Sequence, residues 1–169
     1  MKFSSFVKSA LRAAVVLGSL VLALAPMSAE AATATTTFAV TATVAATCLI
    51  SATPLGFGSY TGVVDPATST LTVTCTNTTP YNVGLSAGLA TGATVTTRSM
   101  TGPASALLGY GLFSDAGHTT NWGVTIGTDT VTGTANGAAQ PITVFGQIPA
   151  AEFVAPGAYA DTITATVTF

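Results

Sequence analysis

Apolar and polar residues alternate at both ends of this chain. Near the start, Phe38-Ala39-Val40-Thr41-Ala42-Thr43-Val44 places an apolar residue at every second position. At the close, Asp161-Thr162-Ile163-Thr164-Ala165-Thr166-Val167-Thr168-Phe169 does the same, ending on the aromatic. Side chains of a strand point alternately to its two faces, so Ile163, Ala165, Val167 and Phe169 form one apolar stripe with the threonines opposite. Four further stretches alternate between these ends. They centre on Leu71, Val73 and Cys75; on Tyr81, Val83 and Leu85; on Leu108, Tyr110 and Leu112; and on Ile142, Val144, Gly146 and Ile148. Turn signals separate them at Gly56 and Gly58, Asp65-Pro66, Asn77-Thr78-Thr79-Pro80, Gly102-Pro103, Asp115-Ala116-Gly117, Asn136-Gly137 and Pro156-Gly157. No stretch after residue 32 keeps a helical period over ten residues without Gly, Pro or clustered Thr. Many short strands with frequent turns predict a single antiparallel β-sandwich. A chain that ends inside a strand is expected to leave a row of unpaired backbone groups, which a strand from a sister molecule could cover.

Residues 1–31 have the organisation of a secretory signal. Lys2, Lys8 and Arg12 precede an apolar run over residues 13–25, and Ala29-Glu30-Ala31 offers a small-x-small cleavage site, with cutting after Ala29 as the alternative. The run is shorter than the roughly 20 residues a membrane-spanning helix needs, which argues against an anchor. Cleavage after Ala31 leaves 138 of the 169 residues. Arg98 is then the remaining cation, against Asp65, Asp115, Asp129, Glu152 and Asp161, for a net charge of −4. One cation cannot grip a phosphate backbone, so nucleic acid is excluded as a partner, and attraction to anionic membranes goes with it. Polar character comes instead from 33 threonines, which suit the solvent face of strands. A weakly charged surface of this kind fits a protein packed among copies of itself, and equally a generic secreted β-domain.

Two cysteines, Cys48 and Cys75, are present, and in an exported chain such a pair reads as a disulfide. A metal pair lacks companion ligands. No cofactor is expected. Gly84-Leu85-Ser86-Ala87-Gly88 matches the G-x-S-x-G pattern of a hydrolase elbow, with Asp115 and His118 downstream. That elbow needs a strand-to-helix turn, no helix is readable after Ser86, and the acid and histidine follow without the sheet such enzymes require, so catalysis is not expected. Trp122 is expected to serve packing more than ligand stacking, and Arg98 could pair within its own domain or with a neighbouring copy.

The cysteine pair, the terminal strands and several interior pieces together resemble the spore coat protein U domain family, the pilins of the archaic chaperone–usher pathway. The pieces are residues 38–44 running into Ala46-Thr47-Cys48, Pro54-Leu55-Gly56-Phe57-Gly58, Leu71-Thr72-Val73-Thr74-Cys75-Thr76, Tyr110-Gly111-Leu112-Phe113-Ser114-Asp115, Asn121-Trp122-Gly123, Val144-Phe145-Gly146-Gln147-Ile148-Pro149 and Gly157-Ala158-Tyr159-Ala160-Asp161-Thr162-Ile163. The resemblance implies an incomplete immunoglobulin-like sandwich lacking its last strand, spanning residues 48–169, with residues 32–47 as a donor-strand extension. It also implies three kinds of partner: a periplasmic chaperone, an outer-membrane usher, and sister subunits that exchange strands. By the same analogy Phe38, Val40, Ala42 and Val44 are the donor side chains. Ile163, Val167 and Phe169 then border the acceptor groove, the Phe169 carboxylate anchoring a basic chaperone residue. The expected setting is the periplasm and then the cell surface, as a fibre supporting adhesion or biofilm, or as an extracellular coat. With 138 residues there is no room for a separate receptor-binding domain, so a shaft or minor subunit is expected.

Overall fold

The structure, a computed structural model, describes residues 30–169. The proposed leader lies outside the described residues, apart from its last two. Residues 30–41, the described part of the first of two units, are exposed throughout and without helix or strand. Residues 42–169 form the second unit, an all-β fold with the single 3-10 turn Pro103–Ser105. Its strands are β1 (Cys48–Ala52), β2 (Asp65–Cys75), β3 (Pro80–Leu85), β4 (Arg98–Thr101), β5 (Leu107–Phe113), β6 (Val131–Thr134), β7 (Gln140–Ile148) and β8 (Ala165–Thr168).

Alternation decides which sheet face is buried. In β2 Ser69, Leu71, Val73 and Cys75 turn inward while Thr68, Thr70, Thr72 and Thr74 turn out; in β5 Leu108, Tyr110 and Leu112 turn inward. All pairings are antiparallel, giving a five-stranded sheet of order β1-β2-β7-β5-β4 and a three-stranded sheet of order β6-β3-β8. The core between them is built on Val73, Val83, Trp122 and Ile148, each almost wholly excluded from solvent. Packing is therefore the role of Trp122, and its indole N–H donates to Val83 O at 2.8 Å. Arg98 is itself buried, 1% exposed.

The registers also define two poles. The upper one gathers the start of β2, the end of β7 and the loops 53–64, 102–106 and 149–158; the lower one gathers the turns 76–79, 114–120 and 136–139. β8 descends toward the lower pole, since Ala165 faces Leu85 and Thr168 faces Asn82. The alternating stretch expected from Asp161 enters its ladder only at Ala165, because the residues before it are crossing between sheets. Ala160 still pairs with Thr101 at the end of β4, with N–H···O distances of 2.9 and 3.1 Å.

Cys48 and Cys75 lie directly opposite one another in the β1–β2 register and form a disulfide across 27 residues of sequence. Closing a loop of that length removes unfolded-state entropy worth about 3.5 kcal/mol on the chain-entropy account. Reduction, or a Cys48→Ala/Cys75→Ala double variant, is expected to lower the unfolding free energy by about that amount, as read from urea denaturation of oxidised and reduced protein.

Candidate functional site

β8 is hydrogen-bonded on one side only, to β3, and β1 on one side only, to β2. Their two open edges lie close to each other across the sandwich. Between and above them a groove of about 520 Å³ opens directly onto the core, with Leu71, Leu85, Tyr110, Leu112 and Val144 in its lining. A well-packed core does not normally leave its central side chains lining an open cleft. The groove continues upward into a second depression of about 830 Å³, and Leu55, Phe57, Met100 and Tyr159 line both. Phe57 meets Tyr110 edge to face at a 6.2 Å centroid separation.

Asp161 fixes the rim. Its carboxylate accepts from Tyr110 Oη at 2.7 Å, from Leu89 N at 2.8 Å and from Thr162 N at 2.7 Å. Burial, then the hydrogen bond and charge of Asp161, raise the Tyr110 pKa far above its ordinary value, so the phenol remains a donor. Gly88 approaches Asp161 so closely, at a φ of +90°, that any side chain there would collide with the carboxylate. Asp161 thus holds the point at which the chain leaves the edge of β4 and turns down into β8.

Next to it, Arg98 spans the two sheets. From β4 its Nε donates to Ser86 O at 2.8 Å and its Nη1 to Val95 O at 2.6 Å. Its Nη2 donates to Leu85 O at 3.0 Å and Trp122 O at 2.6 Å. Burial lowers its pKa, against the opposing influence of Tyr110, Asp129 and Asp161, yet a guanidinium keeps its charge at any working pH.

The expected site residues fall as follows. Ile163 lines the groove together with Ala165, while Val167 packs on the core from the same face, opposite Val83. Phe169 follows the ladder and is 56% exposed. Phe38, Val40 and Val44 are all more than 80% exposed, and Ala42 is exposed too; none lies in a strand. Leu55, Phe57, Met100, Tyr159 and Asp161 had no assigned role in the sequence reading. For Tyr159 and Asp161 a signal existed, since they share the parity of Ile163 and Ala165.

The hydrolase-like residues are not brought together. The Ser86 hydroxyl accepts from Thr164 N at 2.9 Å near the groove rim. His118 belongs to the turn after β5, at the lower pole, with its ring edge-on to Phe113 and Phe145. Asp115 organises that turn, accepting from Thr120 N at 2.6 Å and from Thr119 Oγ1 at 2.9 Å. Among the described residues no cluster of His, Cys, Asp and Glu could hold a metal, and no helix is long and apolar enough to cross a membrane.

A family model for the Spore Coat Protein U domain matches residues 34–166. Protein U of Myxococcus xanthus is 37% identical over 180 residues, covering 96% of this chain and 98% of that protein. Among solved structures, one similar chain belongs to the CsuC–CsuE chaperone–tip adhesion subunit pre-assembly complex from archaic chaperone–usher Csu pili of Acinetobacter baumannii. It matches with a TM-score of 0.57 and 26% identity over 75% of this chain, which spans 41% of that one.

Two outcomes are expected from these contacts. Arg98→Met leaves four carbonyl oxygens without their donor and is expected to cost at least about 3 kcal/mol in urea unfolding. Arg98→Lys should rescue little, because three ammonium donors on a point charge cannot reproduce the planar fork. The hydrogen bonds from Thr120 and Thr119 hold Asp115 down at about 2, below its ordinary 3.8. Its contribution is therefore complete above the ordinary carboxylate pKa and disappears as the pH falls from about 4 toward 2. Urea midpoints of wild type and Asp115→Ala should differ at pH 6 and converge near pH 2.

Proposed function

The chain belongs to the Spore Coat Protein U domain family, and from that membership we propose that it is a structural subunit of an archaic chaperone–usher surface fibre, assembled by donor-strand exchange. The observation that carries the proposal is the groove between the open edges of β8 and β1, whose lining is the core itself. A single strand laid there would pair with the free edge of β8 and place every second side chain on Leu71, Leu85, Leu112 and Val144. Residues 32–47 supply such a strand: they carry no charge, and Phe38, Val40, Ala42 and Val44 alternate with small or polar neighbours. The ladder would give affinity and the alternate side chains register, since a slip of one residue turns the apolar set outward.

Burial of Phe38, Val40 and Val44 would contribute about 1.5–3 kcal/mol each, and each ladder bond a net of roughly 0.5–1.5 kcal/mol. Removing an inserted strand also reopens the core, so the lifetime of such a joint is set by unfolding. In this reading a periplasmic chaperone covers the groove first, an outer-membrane usher oversees the exchange, and residues 48–169 are the pilin body. Adhesion or biofilm support belongs to the fibre as a whole. A second reading, a secreted coat subunit of the same fold, draws on the 37% identity to Protein U along nearly the whole chain. Electron microscopy of sheared surface material separates the two, thin periodic filaments indicating the fibre and amorphous material the coat.

The test uses unboiled denaturing gels and co-purification with the chaperone. Wild-type protein is expected to give an SDS-resistant ladder. Val40→Asp should still be captured by the chaperone but form no ladder, because entry into the next groove buries an unpaired carboxylate at a cost of several kcal/mol. Val167→Asp should lose both. Normal ladders from Val40→Asp would refute the donor assignment.

A further inference from the structure

Several of the large apolar side chains that remain exposed gather at the upper pole. Phe153 is 88% exposed and Val63 63%, and Val64 and Leu107 are about half exposed. The loops that carry Val63 and Phe153 are tied to one another: Ala151 N donates to Gly62 O at 3.0 Å, and the Phe153 ring borders Gly62. Leu107 opens β5 at the same pole.

At the lower pole the donor extension leaves the body, and it is held where it leaves. Thr76 N donates to Thr47 O at 2.9 Å, Thr47 N to Thr76 Oγ1 at 3.1 Å, and Thr76 Oγ1 to Ala45 O at 3.3 Å. Between Val44, the last donor side chain, and Cys48, the first residue of β1, lie Ala45, Ala46 and Thr47. That tether spans at most about 14 Å when extended. A body whose Val44 occupies another molecule's groove must therefore touch that molecule.

The pole it touches follows from strand direction. β8 descends, so a strand antiparallel to it ascends and delivers Val44 to the upper end of the groove. The opposite direction would set two lower poles face to face, where the acceptor's own extension departs. A head-to-tail array of identical joints excludes that arrangement, and antiparallel pairing is also the slightly more stable ladder.

Resting on the donor-strand reading, we propose that the apolar rim of Phe153, Val63, Val64 and Leu107 is the seat for the lower pole of the next copy. Each joint then consists of an inserted strand and a direct contact between bodies. A second copy is the occupant because the short tether brings it there. On the opposing surface Leu49 is 74% exposed, and two of the three turns, 76–79 and 136–139, carry no charge, while the third, 114–120, carries Asp115 and His118. Arg98 is buried, so no Lys or Arg of the described residues is available at either surface, and the acids nearest the seat, Glu152 and Asp65, flank the apolar rim.

The test places the photo-crosslinking residue benzoylphenylalanine at position 153 of the full exported chain, with position 132 on the outer face of the small sheet as control. Illuminated polymer is expected to show links from 153 to residues 45–49, 76–79 or 136–139 of a second copy, and none from 132. An SDS-resistant ladder without such links overturns the seat and leaves the donor strand standing, whereas absence of any ladder overturns both. Phe153→Asp with Val63→Asp provides the second measurement. The pair should keep the ladder while polymer dissociates on heating about tenfold faster than wild type, as expected from losing a buried aromatic contact. An unchanged rate also overturns the seat.

Discussion

The buried guanidinium of Arg98 is the contact on which the arrangement of the two sheets depends. A charge so well excluded from water is tolerable only if every donor finds an acceptor. Here four backbone carbonyls, from Leu85, Ser86, Val95 and Trp122, provide them. Leu85 closes β3 in the small sheet and Arg98 opens β4 in the large one. The fork therefore holds together two layers that exchange no ladder hydrogen bonds with each other. It also fixes Trp122, whose indole reaches Val83, while Gly123 O accepts from Leu85 N at 2.8 Å where the β6 ladder has already stopped.

With the two sheets held together in this way, the seam between β8 and β1 can remain open. Asp161 keeps it so, by taking the hydrogen bonds of Tyr110, Leu89 and Thr162 at the crossing from the large sheet to the small. Had the chain entered its ladder at Asp161, the rim would lie lower and β8 would be longer. Instead β8 has four residues and a free edge. Short edge strands are a usual defence against unwanted pairing. Here the same short edge stands beside an open groove lined by core side chains.

Charge distribution supports the same division. Arg98, the one Lys or Arg among the described residues, is spent inside the body, and the acids sit mainly in turns or at the groove rim, where Asp115 and Asp161 accept backbone hydrogen bonds. The outward faces of β2 and β8 are largely threonine. A surface with so few charges offers a neighbouring molecule little repulsion and few ion pairs.

The alternation of apolar and polar residues was enough to determine the fold class, the inward faces of β2, β5 and β7, and the disulfide, because strand periodicity and cysteine count are local properties of the chain. The shared apolar face of Ile163, Ala165 and Val167 could be read for the same reason. The burial of Arg98 could not, since its partners are main-chain carbonyls from residues 85 to 122, and a carbonyl has no signature in sequence. Nor could the floor of the groove: Leu55, Phe57, Met100 and Tyr159 come from separate loops and strands and meet only when the two sheets pack. Asp161 shows the boundary most sharply. Its parity was legible, but its role as the pin at the crossing comes from Leu89 and Tyr110, 72 and 51 residues away in the chain. Local pattern specifies which face of a strand is buried; only the closing of the tertiary structure decides what that face is buried against, and where it is left open.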